Sequence, residues 1–451
     1  MRKLFFMRNF CFVLWSLVLC APLACAGAAP STQYFRVTQR HGVWWLVDPA
    51  GHRFISKGVD NTGFFPTPKH TKAYGLPAKQ SAVAQLLRWG FNTTGAFGDK
   101  LVSISVHGRG MDTTPILWLG SRFTWQYHYS KQFPDVFSPQ FKVVAYRSAK
   151  EQCAKWKNNP RIIGWYSDNE LRWAADWRGK NELLTIFLNY PATSPGHRAA
   201  VALLRRRYHG RIASFDRIWK QHFKSWRSLD KASHIAAPYL LPLIWARSSA
   251  EAARANKNHP GHARFVADCN AFLGLVAARY YRICRGAIKS ADPNHLYLGA
   301  KDAYVPPTPV LRAEIRYCDV LSIDNYSLNP GPVLKKLAAT GKPIIIAEFS
   351  IRARDSGLPN TKGAGPLVNT QAQRAAAMSR YVTLALKNPN VVGYSWFEYV
   401  DEPKKGRSLD GENSNYGLLT RAGKPYRLLI DAFQRVNAKA KAIHVGAGGA
   451  K

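Results

Sequence analysis

The chain has 451 residues and a formal net charge of +37, from 64 Lys and Arg against 27 Asp and Glu. Its length is too great for one small core and suits a barrel of about 250 residues that carries long insertions. A field of this size favours polyanionic neighbours such as nucleic acid, anionic membrane surfaces or acidic polysaccharide. The basic residues, however, are spread along the chain apart from Arg205-Arg206-Arg207. That spread equally fits adaptation to an acidic exterior, and no nucleic-acid partner is expected.

Arg2, Lys3 and Arg8 precede an apolar run from Phe10 to Leu23, and small residues follow at Ala24-Cys25-Ala26 and Ala26-Gly27-Ala28. This is the pattern of a cleaved secretory signal peptide, expected over residues 1–28. It implies a secreted or periplasmic protein. A lipidated Cys25 or a retained anchor are the alternatives, although Pro22 stands where the usual Leu of a lipoprotein signal would be. No later stretch is apolar enough for a membrane helix.

Val43-Trp44-Trp45-Leu46-Val47, the turn Asp48-Pro49-Ala50-Gly51 and Arg53-Phe54-Ile55-Ser56 read as an N-terminal β-hairpin. Strands then alternate with helices, the signature of a parallel sheet. Strands are expected at 54–60, 92–97, 114–119, 162–169, 295–300, 320–326, 343–349 and 391–397. Helices are expected at 81–89, 263–290, 371–386 and 425–437. The stretch from about 171 to 260 breaks this rhythm, being helical and rich in Arg, Trp and Phe. It reads as an insertion after the fourth strand, on the face where loops build active sites. The fold class is therefore α/β, a (β/α)₈ barrel over 29–445, with a disordered tail at 446–451.

Cys153, Cys269, Cys284 and Cys318 make no CxxC or Cys/His ligand spacing. They are expected as buried thiols, with one disulfide left open. No HExxH, P-loop or GxGxxG occurs in a strand-turn-helix setting, and Ser103 and Ser105 have no nucleophile-elbow context. No metal and no cofactor is expected.

Two strand ends turn acidic. Ile162 to Glu170 ends in Ser167-Asp168-Asn169-Glu170, and Pro343 to Phe349 ends in Ala347-Glu348-Phe349. A carboxylate at the C-terminal end of a barrel strand points into the active-site mouth. The fourth and seventh strands lie across the barrel from one another, so Glu170 and Glu348 are expected to face each other. Glycoside cleavage with retention needs such a pair about 5–5.5 Å apart, one as acid and one as nucleophile. Asn169 suits a ligand for the sugar 2-hydroxyl, and Asp401 is a further sugar-binding candidate. His295, at the start of its strand, is expected to pack rather than react.

These residues also carry a resemblance. The Asn169-Glu170 pair and Glu348 match the clan A glycoside hydrolases. Gly42 to Pro49, Gly58-Val59-Asp60, Ser167 to Glu170, Ala347 to Phe349, Trp396-Phe397-Glu398-Tyr399 and Leu409 to Asn413 resemble the agarases of glycoside hydrolase family 50. The insertion, through Ser214 to Trp219 and Phe223 to Trp226, is similar to that of family 42 β-galactosidases. The resemblance implies Glu170 as acid/base, Glu348 as nucleophile, Tyr326 as a donor to that nucleophile and Trp396 as an apolar floor beneath the sugar. It implies a carbohydrate substrate, β-linked and galactose-containing or related. Departures at Glu398 and Val400 bear on the substrate rather than on the reaction. The acidic loop Asp401, Glu402, Asp410 and Glu412 is read either as sugar ligands or as partners for local Arg and Lys. Open alternatives are a transglycosylase whose insertion Trp173, Trp177, Trp219 and Trp226 line acceptor sites, β-mannosidic or β-glucosidic specificity, and a non-catalytic binder of acidic envelope polysaccharide.

Overall fold

The computed structural model describes residues 33–62, 76–126, 133–232, 234–244 and 261–448. The expected signal peptide with Cys25, the last stretch of the insertion and the final three residues lie outside these. Among the described residues no helix is long and apolar enough to cross a membrane.

The N-terminal hairpin gains a strand that the sequence reading did not include. Arg36–Arg40 pairs antiparallel with Val43–Val47, which pairs in turn with Arg53–Phe54. The added turn is His41-Gly42, both at positive φ. Two such residues twist a two-residue turn to match its strands.

Eight short parallel strands follow, seven of them inside the ranges where strands were expected. They are β1 (Ser56–Val59), β2 (Thr93–Thr94), β3 (Asp112–Thr113), β4 (Gly164–Trp165), β5 (Leu296–Tyr297), β6 (Leu321–Asp324), β7 (Ile344–Phe349) and β8 (Val391–Trp396). Six of them form one sheet in the order β6-β7-β8-β1-β2-β3, and β4 pairs with β5. Parallel bridges at Thr113–Ile162 and Ile116–Tyr166 run from the β3 side to β4, and Asp302–Ile323 runs from beyond β5 to β6. The third strand lies earlier than expected, because after Thr113 the 114–119 segment keeps only the bridge at Ile116. Gly164 allows the β4–β5 approach: a Cβ there would lie 2.6 Å from the Leu296 carbonyl oxygen.

Side chains of β7 alternate between two cores, as a period of two requires. Ile345 and Ala347 join Ile163, Tyr166, Leu298 and Val392 between the strands, where Phe35 and Leu46 of the hairpin also pack. Ile344 and Ile346 face outward onto the helices Gln371–Leu386 and Arg427–Gly446, and a register shift beyond Ile346 brings Phe349 to the same side. The second of these runs to Gly446, so the expected disorder from 446 onward does not hold for the described residues 446–448. Its burial of Phe433, Val436 and Ala440 extends the helix beyond the 425–437 expectation.

Between β4 and β5 the chain forms the helices Leu183–Leu188, Pro195–Arg207, Ile212–Trp219 and Trp226–Asp230, with no strand among the described residues of 171–260. Ser194 before Pro195 caps one helix by accepting from the His197 N–H, and Ser225 closes a capping box on another. These helices pack on His262–Ala291 through Phe187, Leu204, Phe215, Trp219, Phe265 and Phe272. Trp173 and Trp219 belong to this core, and Trp226 donates to the Gly210 carbonyl. Of the four insertion tryptophans only Trp177 reaches the cavity described below, so the set does not line acceptor sites.

The four later cysteines are buried and none is joined in a disulfide. His295 is fully buried, between Asp292 (2.6 Å) and the Asn159 carbonyl (3.0 Å). Packing is what it does.

Candidate active site

The C-terminal ends of the strands open onto a cavity of about 1790 Å³. Five residues on this rim adopt positive φ: Asn61 after β1, Phe97 after β2, Trp118 after β3, Glu170 after β4 and Lys301 after β5. Non-glycine residues rarely accept this conformation, and they cluster where a side chain must be aimed. Here each of the five turns the chain sharply off a strand end.

Glu170 is held by its backbone, since its N–H donates to the Lys301 carbonyl at 2.9 Å and its own carbonyl accepts from Arg178. Its carboxyl is pushed up to about 7, first by burial and then by the charge of Glu348. Glu348, on β7, is buried. Its Oε1 accepts from the Lys301 ammonium and its Oε2 accepts from the Tyr326 hydroxyl at 2.6 Å.

Glu170, Asp324 and Glu348 each offer a carboxylate oxygen within 4.8 Å of the others. Such a trio suits a bound cation or a catalytic carboxyl pair. Here positive charge comes from the chain: the fully buried Lys301 Nζ bonds Glu348 and lies 3.9 Å from Asp324. Burial alone would lower the lysine, but Asp324, Glu348 and Asp60 outweigh it and keep the ammonium charged. Asp60 and Asp324 are themselves held well above the usual carboxylate range, burial being the largest cause. Asp60 fits because Gly95 has no side chain, and a Cβ there would fall 1.7 Å from Asp60 Oδ1. The centre thus combines one ammonium, one carboxylate with two donors, and carboxyls that burial drives toward neutrality.

Asn169 lines the cavity, and among the described residues its buried Oδ1 has no hydrogen-bond partner. A buried acceptor left open is costly unless a ligand satisfies it. Glu398 also lines the cavity. It accepts from the Asn61 amide, and burial followed by Glu402 drives its carboxyl well above the usual range.

Two expectations do not survive. Trp396 is no floor for a sugar. It is completely buried, its ring against Phe349 and Phe433 and its indole N–H on the Tyr416 carbonyl. A side chain at that register on β8 points to the helices, and the next residue, Phe397, takes the cavity wall. Trp396→Ala is accordingly expected to cost about 3–5 kcal/mol of stability, read by urea unfolding; a change below 1 kcal/mol, well under that range, would contradict the core placement.

Asp401 borders the cavity, but its carboxyl turns away. Oδ1 accepts from Asn415 and the Gly417 N–H, and Oδ2 from the Tyr426 hydroxyl. Both of its oxygens already accept from donors of the loop, so it supports the loop rather than a sugar. The remaining acids of that loop find a local cation. Arg407 bonds Glu402 at 2.8 Å, Asp410 at 2.7 Å and Glu412 at 3.0 Å. Lys301, Asn61, Phe97, Trp118 and Asp324 were missed in the sequence. Lys301 had a readable signal, a charged residue directly after the apolar strand His295 to Ala300.

No family model matches the chain. It is 28% identical to β-agarase A of Vibrio sp. (strain JT0107), with 88% of this chain and 44% of that protein covered. It is 29% identical to β-agarase B of the same organism, over 80% of this chain and 36% of that protein. The chain thus spans less than half the length of these relatives. Among solved structures, an exo-β-agarase superposes with a TM-score of 0.73 at 23% identity, covering 92% of this chain and 66% of the other. An agarase designated AgWH50C gives 0.72 at 24%, covering 92% and 66%. In sequence the chain is thus similar to β-agarases, and it shares the mixed α/β fold of the solved agarase structures.

Proposed function

We propose that this chain is an exported glycoside hydrolase on a (β/α)₈ barrel, cleaving a β-linked, galactose-containing polysaccharide with retention. The bridges Thr113–Ile162 and Asp302–Ile323 support closure of the eight strands into one ring. The names of the β-agarase relatives support the substrate class. The reading rests above all on one observation, the 4.8 Å limit on the separation of carboxylate oxygens of Glu170 and Glu348. That spacing favours attack by the carboxylate itself, since inverting enzymes need about 6.5–9.5 Å to admit a water.

In the first step the Glu348 carboxylate attacks the anomeric carbon while Glu170 gives its proton to the departing glycosidic oxygen. In the second, Glu170 takes a proton from water, and the water oxygen attacks from the face that the leaving group vacated, opposite Glu348, which departs as a carboxylate. A carboxyl near 7 serves both roles around neutral pH. Lys301 and Tyr326 supply charge balance at Glu348, and Asn169 supplies a hydrogen bond to the sugar.

Glu170 must hold its proton for the first step, so kcat/KM on a substrate with a poor leaving group should fall as pH rises through about 7. Glu170→Ala should remove that limb and cost about 10²–10⁴-fold on such a substrate. A substrate with an activated leaving group should lose far less in the bond-breaking step. Equal losses on both would contradict the acid role, and assignment of the product anomer by NMR tests retention directly.

A further inference from the structure

Beyond the two glutamates, aromatic rings lead out of the cavity in steps. Phe97 sits with the Lys301 ammonium 5.1 Å from its ring centroid, which joins it to the reaction centre. Trp118 follows at 5.9 Å from Phe97, and Trp125 at 6.3 Å from Trp118, with interplanar angles of only 37° and 33°. Phe97 and Trp118 line the cavity, whereas Trp125 lies outside it and is 62% exposed.

The local chain explains the alignment. Trp118 immediately precedes the helix Leu119–Gln126, and Trp125 comes seven residues later, two turns along the same face. Arg122 lies between them on that face, and its buried Nε has no hydrogen-bond partner among the described residues. Phe97 and Trp118 are both held at positive φ, a conformation that bulky residues adopt only when their surroundings impose it. An indole as exposed as Trp125 gains little from folding, since most of its apolar area stays in water. Flat apolar faces with a guanidinium between them match the chemistry of a pyranose chain, whose C–H faces stack and whose hydroxyls accept hydrogen bonds.

We propose that Trp118 and Trp125, with Arg122, form an additional sugar-binding platform that takes up a long carbohydrate chain where it leaves the cavity. The proposal rests on the glycosidase reading above. It adds a site outside the catalytic centre that governs preference for chain length.

The test uses the full chain carrying Glu348→Gln, titrated calorimetrically with short and long β-linked galacto-oligosaccharides. Affinity should rise with length. Trp125→Ala should flatten that rise, weakening long oligosaccharides by about two- to tenfold, while Trp125→Phe should retain most of it. An unchanged length dependence in the Ala variant, or an equal loss at every length, overturns the platform. Turnover of an aryl β-galactoside and of a β-galactan by the parent chain reports on the glycosidase reading separately. Turnover together with an unaltered Ala variant removes the platform alone; absence of both turnover and oligosaccharide binding removes both.

Discussion

Glu348→Gln is expected to abolish turnover, by about 10⁴-fold or more, while the protein stays folded. The amide matches the carboxylate in size and can still meet the Lys301 ammonium and the Tyr326 hydroxyl. What it cannot do is attack the anomeric carbon, so the covalent intermediate never forms. A second variant makes the assignment stereochemical. Glu348→Gly opens the space beneath the sugar, and added azide should restore partial turnover with an inverted glycosyl azide as product. Azide rescue of Glu170→Ala should instead give a product with retained configuration, since the nucleophile is intact there. Full activity in Glu348→Gln, or a retained azide adduct from Glu348→Gly, would place the nucleophile elsewhere.

Lys301→Met should have the next largest effect, on stability as well as on the rate. The ammonium is fully buried and faces Glu348, Asp324 and Asp60. Removing one partner of a buried ion pair costs about 3–5 kcal/mol, because the remaining charge has no compensation. Urea unfolding reads that stability loss, and rates on an activated aryl glycoside read the loss at the Glu348 step. Unchanged stability together with an unchanged rate would mean that Lys301 only fills space.

Much of the architecture was legible in the chain. Buried parallel strands are continuous apolar runs, and Ile344-Ile345-Ile346-Ala347 and Val391-Val392-Gly393 announce themselves for that reason. Glu170 and Glu348 stood out because each interrupts such a run at its C-terminal end. The insertion was visible as a long helical stretch with no strand, and its capping serines were written in local sequence.

The assignments that failed depend on direction rather than on residue type. Trp396 and Phe397 are adjacent aromatics, and a strand sends one to the helices and the other to the cavity. No composition distinguishes them without the register. Asp401 and Glu402 differ likewise: Asn415, Gly417 and Tyr426 occupy the first, and Arg407 the second. Those partners lie 5 to 25 positions away along the chain.

By itself, then, the sequence determined the order of the strands and helices, the place of the insertion and the two acidic strand ends, because hydrophobic period and turn chemistry act over a few residues. The tertiary structure decided which charge faces which. Lys301 meets Glu348 across 47 positions, and Asn61 meets Glu398 across 337. Electrostatic energy depends on distance and burial in space, so the protonation of this site is a property of the folded chain alone.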